Sequence, residues 1–95
     1  MIIDFYADWC LPCKELDAKT FTDERVRAEG ERFARLKVNL TNADDPLSKE
    51  LSTQYAILGV PTIVFLDGQG KEATATRLTG FEGPDRFLER MRSVR

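Results

Sequence analysis

Apolar and polar positions change their spacing several times along this chain, and each change predicts an element. Ile2 to Ala7 is apolar except for Asp4, the pattern of a buried strand. From Cys10 onward the pattern predicts a helix, with Pro12 in its first turn, where a missing N–H costs nothing. Thr22-Asp23-Glu24 predicts a second helix start, with a hydroxyl cap and acids in the first turn, and Gly30 can end that piece. Leu36, Val38 and Leu40 then alternate with Arg35, Lys37 and Asn39, a strand of period two. Asp45-Pro46 supplies a cap and an N1 proline to a short helix whose inner face is Leu47, Leu51 and Tyr55. Thr62 to Leu66 is β-branched and apolar, Asp67-Gly68-Gln69-Gly70 is turn chemistry, and Ala73 to Leu78 is the expected hairpin partner. Gly83-Pro84 opens a last helix with Phe87, Leu88, Met91 and Val94 on one side.

The predicted order is β-α-β-α-β-β-α, an α/β fold. Two strands joined through a helix should be parallel, with a right-handed crossover. The last two should be antiparallel, so that one four-stranded mixed sheet carries helices on both faces. At 95 residues the expectation is one domain over 1–95, and 42% hydrophobic residues suffice for its core.

Charge narrows the partners. Charged residues make up 32% of the chain and net only −2, which leaves no nucleic-acid or anionic-membrane footprint. The basic cluster Arg86, Arg90, Arg92 and Arg95 reads as a solvated helix face. No stretch approaches the roughly 20 apolar residues of a membrane span, so no direct membrane insertion is expected. Met1-Ile2-Ile3-Asp4 has no basic n-region, and the expectation is a soluble chain or a soluble piece of something longer. The chain has no histidine, which removes Cys-His and Ser-His pairs and imidazole metal ligands.

The candidate chemistry is then Cys10-Leu11-Pro12-Cys13, which holds both cysteines. Structural zinc takes four N or S ligands, and two cysteines do not supply them. An inert disulfide closing so short a loop stabilises little. Redox exchange suits the context, because a cysteine at a helix N-terminus meets unpaired N–H groups that favour the thiolate. Cys10, where strand gives way to helix, should be exposed and attack; Cys13, one turn further in, should be shielded and resolve the mixed disulfide. No cofactor or bound metal is expected.

Ile3 to Lys14 closely resembles the active-site segment of the thioredoxin superfamily, and Gly59-Val60-Pro61-Thr62 resembles that superfamily's cis-proline loop. Within it, Tyr6-Ala7-Asp8-Trp9-Cys10, Cys13-Lys14-Glu15-Leu16-Asp17 and Thr20-Phe21-Thr22-Asp23 resemble the C-terminal periplasmic domains of the DsbD family of thiol:disulfide interchange proteins. Val38 to Asp44 and Phe65 to Gly70 suit that family too. The resemblance implies a thioredoxin fold lacking the usual N-terminal strand and helix. It also implies a cis Pro61 facing the cysteines and a Val60 backbone that pairs with an extended substrate. Asp4 would be the buried acid beneath the cysteines, with Lys37 near it. Trp9 is either a lid beside the thiols or core packing. Asp17 is either a second acid that, with Asp4, holds back Cys10, or a solvated helix acid.

The implied partners are protein thiols and disulfides, with a membrane-embedded electron donor domain and a second periplasmic redox domain. The implied compartment is the periplasm, the domain being part of a membrane protein. A general cytosolic thioredoxin is the alternative within the enzyme class. A module that grips extended peptides, with incidental redox activity, is the alternative outside it.

Overall fold

The computed structural model describes residues 1–42 and 44–94; Ala43 and Arg95, named in the motifs above, lie outside the described residues. Its elements are β1 (Ile2–Tyr6), α1 (Leu11–Glu15) running into a π-helical turn (Leu16–Thr20), α2 (Glu24–Gly30), β2 (Arg35–Asn39) and α3 (Pro46–Gln54). They continue as β3 (Thr62–Phe65), a 3-10 turn (Thr74–Thr76), β4 (Leu78–Thr79) and α4 (Pro84–Ser93). The sheet order is β2-β1-β3-β4. β1 and β2 are parallel, with Asp4 opposite Lys37. β3 is antiparallel to β1 and to β4.

Alternation along β1 divides the core between the two faces of the sheet. Ile2 joins Leu16, Val26, Phe87 and Met91 beneath the helices on one side. Ile3 and Phe5 join Val38 and Val64 on the other, against Leu51 of α3 and Tyr55 at its end. Asp4 shares the face of Ile2 and lies under the layer that contains the cysteine helix. α4 buries Phe87, Leu88 and Met91, with Val94 buried just past its end. No helix among the described residues is long and apolar enough to cross a membrane.

Four local expectations need correction. Asp23, not Thr22, caps α2, accepting the N–H groups of Arg25 and Val26, because a carboxylate satisfies two donors at once. Thr22 instead donates to the Ala18 carbonyl. On α3 the inward position near the start is Ser48, whose hydroxyl donates to the Asn39 carbonyl, and Leu47 is exposed. The expected hairpin strand over Ala73 to Leu78 shrinks to the two residues of β4, because Thr74–Thr76 coils into a 3-10 turn. Leu36 is exposed because β2 is an edge strand with only Val38 fully covered.

Ala56, just beyond α3, has φ 53°, a left-handed conformation that a Cβ disfavours. Ala56→Gly removes that strain at some cost in unfolded-chain entropy. It is expected to stabilise the fold by about 0.5–1 kcal/mol in urea denaturation with an unchanged m-value.

Candidate active site

The loop after β1 delivers Cys10 to the N-cap of α1, and Pro12 sits in the first turn with no N–H to waste. Cys10 and Cys13 form a disulfide with Cα atoms 5.3 Å apart. The backbone N–H of Cys13 donates to Cys10 Sγ at 3.2 Å, which favours negative charge on that sulfur once the bond is reduced. The two cysteines are equally covered, at 3% and 5% exposure. The expected contrast between an open Cys10 and a shielded Cys13 is therefore absent in the disulfide form. Ala7 forms one buried cluster with the two cysteines, and Tyr6 and Val60 pack against that cluster.

Trp9 is 70% exposed, which excludes a core-packing role. It lines a groove of about 330 Å³ with Leu40, Ile57, Leu58 and Val60, between the cysteine loop and α3. The Val60–Pro61 peptide bond is cis. A further groove of about 360 Å³, on the Pro61 side, runs between Leu58, Val60, Pro61 and Gly80. Val60 is common to both grooves and to the apolar cluster that holds the disulfide.

The acids lie elsewhere. Asp17 lines a pocket with Tyr6, Asp8, Lys14 and Cys13, on the Cys13 side of the disulfide. Its carboxylate is 3.7 Å from Lys37 Nζ, half-exposed, in an ion pair of small stabilising value. Lys37 Nζ also lies 4.7 Å from the centre of the Tyr6 ring. Asp4 is 6% exposed. Burial pushes its carboxyl up to about 6; Lys37 pulls it down and Asp17 pushes it up. A cavity of about 30 Å³ beside Asp4, room for one water, is lined also by Arg27, Arg35 and Lys37. Among the described residues no group of three or more cysteines and carboxylates gathers in a way that could hold a metal.

Sequence reasoning passed over Thr20. It is wholly buried, and its hydroxyl donates to the Glu82 carbonyl at 2.5 Å. Its spacing from Cys13, two helical turns on, was a usable signal: a polar residue on the buried side of the cysteine helix needs a partner.

The comparisons agree with this geometry. Over 94 residues the chain is 39% identical to the thiol:disulfide interchange protein DsbD of Tatumella citrea. The matched stretch is 99% of this chain and 16% of that protein. Identity to the DsbD of Actinobacillus pleuropneumoniae serotype 5b is 42% over 88 residues, 93% of this chain and 15% of the relative. The chain thus spans about a sixth of the length of these relatives. The crystal structure of the oxidised C-terminal domain of Neisseria meningitidis DsbD superposes with a TM-score of 0.86 at 29% identity, over 100% of this chain and 79% of that one. The family described as thioredoxin-like domain matches residues 1–95. A mixed four-stranded sheet, a disulfide at a helix N-cap and a cis-proline loop beside it fit that match throughout, and the chain belongs to the thioredoxin-like domain family.

Proposed function

We propose that residues 1–95 form one redox domain that relays electrons to protein disulfides, as the C-terminal domain of a DsbD-type protein. The chain is a thiol:disulfide oxidoreductase, and the observation that carries this reading is the Cys10–Cys13 disulfide with its helix-capping sulfur. In the reduced domain the Cys10 thiolate attacks one sulfur of a substrate disulfide. A Cys10–substrate bond forms, and the other substrate sulfur leaves as a thiolate and takes a proton. Cys13 then loses its proton and attacks Cys10 Sγ. The Cys10–Cys13 bond closes and the second substrate sulfur is released. Two electrons and two protons have passed to the substrate. A dithiol donor returns the domain to its starting state by the same exchange in reverse.

Asp4, raised to about 6 on the sheet face that the cysteine helix covers, is the group to accept and return the Cys13 proton near neutral pH. Val60 and the Pro61 loop carry the substrate segment, and Trp9 borders it. The absence of histidine between the cysteines favours the reducing direction, because thiolate stabilisation is what makes such a pair oxidising. The similarity to DsbD supports a membrane-embedded donor domain, a second redox domain as acceptor and a periplasmic location.

The test is turnover of a peptide disulfide with dithiothreitol as terminal reductant. Wild type is expected to accelerate reduction catalytically, and the variant with Cys10 and Cys13 both replaced by Ser is expected to do nothing. Equal peptide binding by both proteins without acceleration by wild type would establish the peptide-gripping module instead.

A further inference from the structure

The segment from Gly80 to Gly83 touches three separate parts of the molecule. Its Gly80 N–H donates to the Pro61 carbonyl at 3.1 Å, tying it to the loop that borders the disulfide. Gly80 has φ 89°, which only glycine adopts without strain, so the chain can turn sharply there. The Glu82 carbonyl accepts the Thr20 hydroxyl at 2.5 Å, across 62 residues of sequence. The Glu82 carboxylate is gripped by Arg90 Nε at 2.6 Å and Nη2 at 2.8 Å, and Arg90 Nη1 donates to the Thr76 carbonyl at 3.1 Å. Arg90, expected to be solvated, is thus a bracket between α4 and this segment.

Thr20 ends the π-helical turn that continues the cysteine helix, where the Phe21 N–H reaches back to the Leu16 carbonyl at 2.9 Å. A π turn is a local departure from α-helical spacing that neighbouring contacts must hold in place. One end of the bridge therefore holds the cysteine helix and the other holds the Pro61 loop. Any protein disulfide must satisfy both at once, offering sulfur to Cys10 and backbone to the loop.

We infer that Thr20 is a positioning residue for protein-disulfide exchange: through Glu82 and Gly80 it fixes the gap between the cysteine helix and the Val60–Pro61 loop. The inference rests on the relay reading above. Its distinctive consequence is a split between substrates. A small aromatic disulfide needs only the Cys10 sulfur. An extended peptide disulfide needs both walls, and misplacement of one by a fraction of an ångström erodes the advantage of holding reactants together.

The experiment compares the reduced full chain in wild-type, Thr20→Val and Thr20→Ser forms against 5,5′-dithiobis(2-nitrobenzoic acid) and against a ten-residue peptide with an internal disulfide. Thr20→Val keeps shape and loses the donor; Thr20→Ser keeps the donor. Thr20→Val is expected to slow the peptide reaction about tenfold, with the small disulfide within about twofold of wild type, and Thr20→Ser is expected to restore the peptide rate. If Thr20→Val does not fold, Glu82→Gln, which weakens the largely covered Arg90 anchor and leaves the Thr20 donor in place, is read on the same two substrates and should show the same selective loss. Equal loss on both substrates, or none on either, overturns the inference. A wild type that reduces the small disulfide and not the peptide overturns the relay reading itself, before any variant is compared.

Discussion

Reduced Cys13→Ser, mixed with excess peptide disulfide, is expected to stop as a covalent adduct through Cys10, whereas reduced Cys10→Ser stays unmodified. Mass spectrometry of the quenched mixtures reads the two masses directly. The order of attack follows from what surrounds each sulfur. Cys10 Sγ accepts a backbone N–H at the start of the helix, which stabilises a thiolate. Cys13 lies inside the helix and not at its cap, in a pocket of mixed charge with Asp8, Lys14 and Asp17. Either serine variant should lose multiple turnover by at least about 10³-fold, since the closing disulfide can no longer form. An adduct on Cys13 in place of Cys10 would falsify the assignment of roles.

Asp4→Asn is expected to make the oxidised domain more stable at pH 8 and to leave it nearly unchanged at pH 4. The native pKa of about 6 lies above the unfolded value of 3.8. Well below pH 4 the carboxyl is neutral in both states and imposes no penalty. As pH rises through 4 to 6 the unfolded chain ionises freely while the folded chain resists, so wild-type stability falls. Above about pH 7 the loss is complete. A displacement of about two pH units corresponds to about 2–3 kcal/mol, of the order of 10 °C in Tm for a chain this size. Asparagine has no charge to bury, so its stability curve should lack that slope. Parallel wild-type and Asp4→Asn curves between pH 4 and 8 would show that Asp4 ionises in the fold as easily as in water. In the same variant the transient Cys10 adduct should be resolved more slowly by Cys13 near pH 7, because the proposed proton acceptor is gone.

The sheet was legible where one physical demand dominated. A short, β-branched apolar run interrupted by a single acid reads as an interior strand, and β1 is one, with Asp4 buried. In α4 the positions of Phe87, Leu88 and Met91, with Val94 just beyond, left one face to bury. Legibility failed where two demands competed. Leu47 is apolar at helical spacing, yet Ser48 lies closer to β2 and takes the Asn39 carbonyl, so a hydrogen bond outranked hydrophobicity. Ala73 to Leu78 has strand composition, yet a 3-10 turn interrupts it. The cysteine motif announced its chemistry plainly, because spacing and helix position are local properties. The cover around the cysteines was legible in part, since Tyr6 and Ala7 are their neighbours in sequence and the Val60–Pro61 loop was expected to face them, but the bridge from Thr20 was not, since Glu82 lies 62 residues away.

That contrast has a consequence for how the site comes into being. Cys10 and Cys13 are three positions apart, so their bond can form in a chain that is otherwise unstructured. Val60 arrives over them only when β3 has paired with β1, a contact that closes a loop spanning more than half the chain and therefore comes late in folding. A refolding chain thus owns a working thiol pair before it owns the wall that chooses what the pair may touch. The pair is therefore open to oxidation and alkylation in any state of the chain in which β3 has not yet paired with β1.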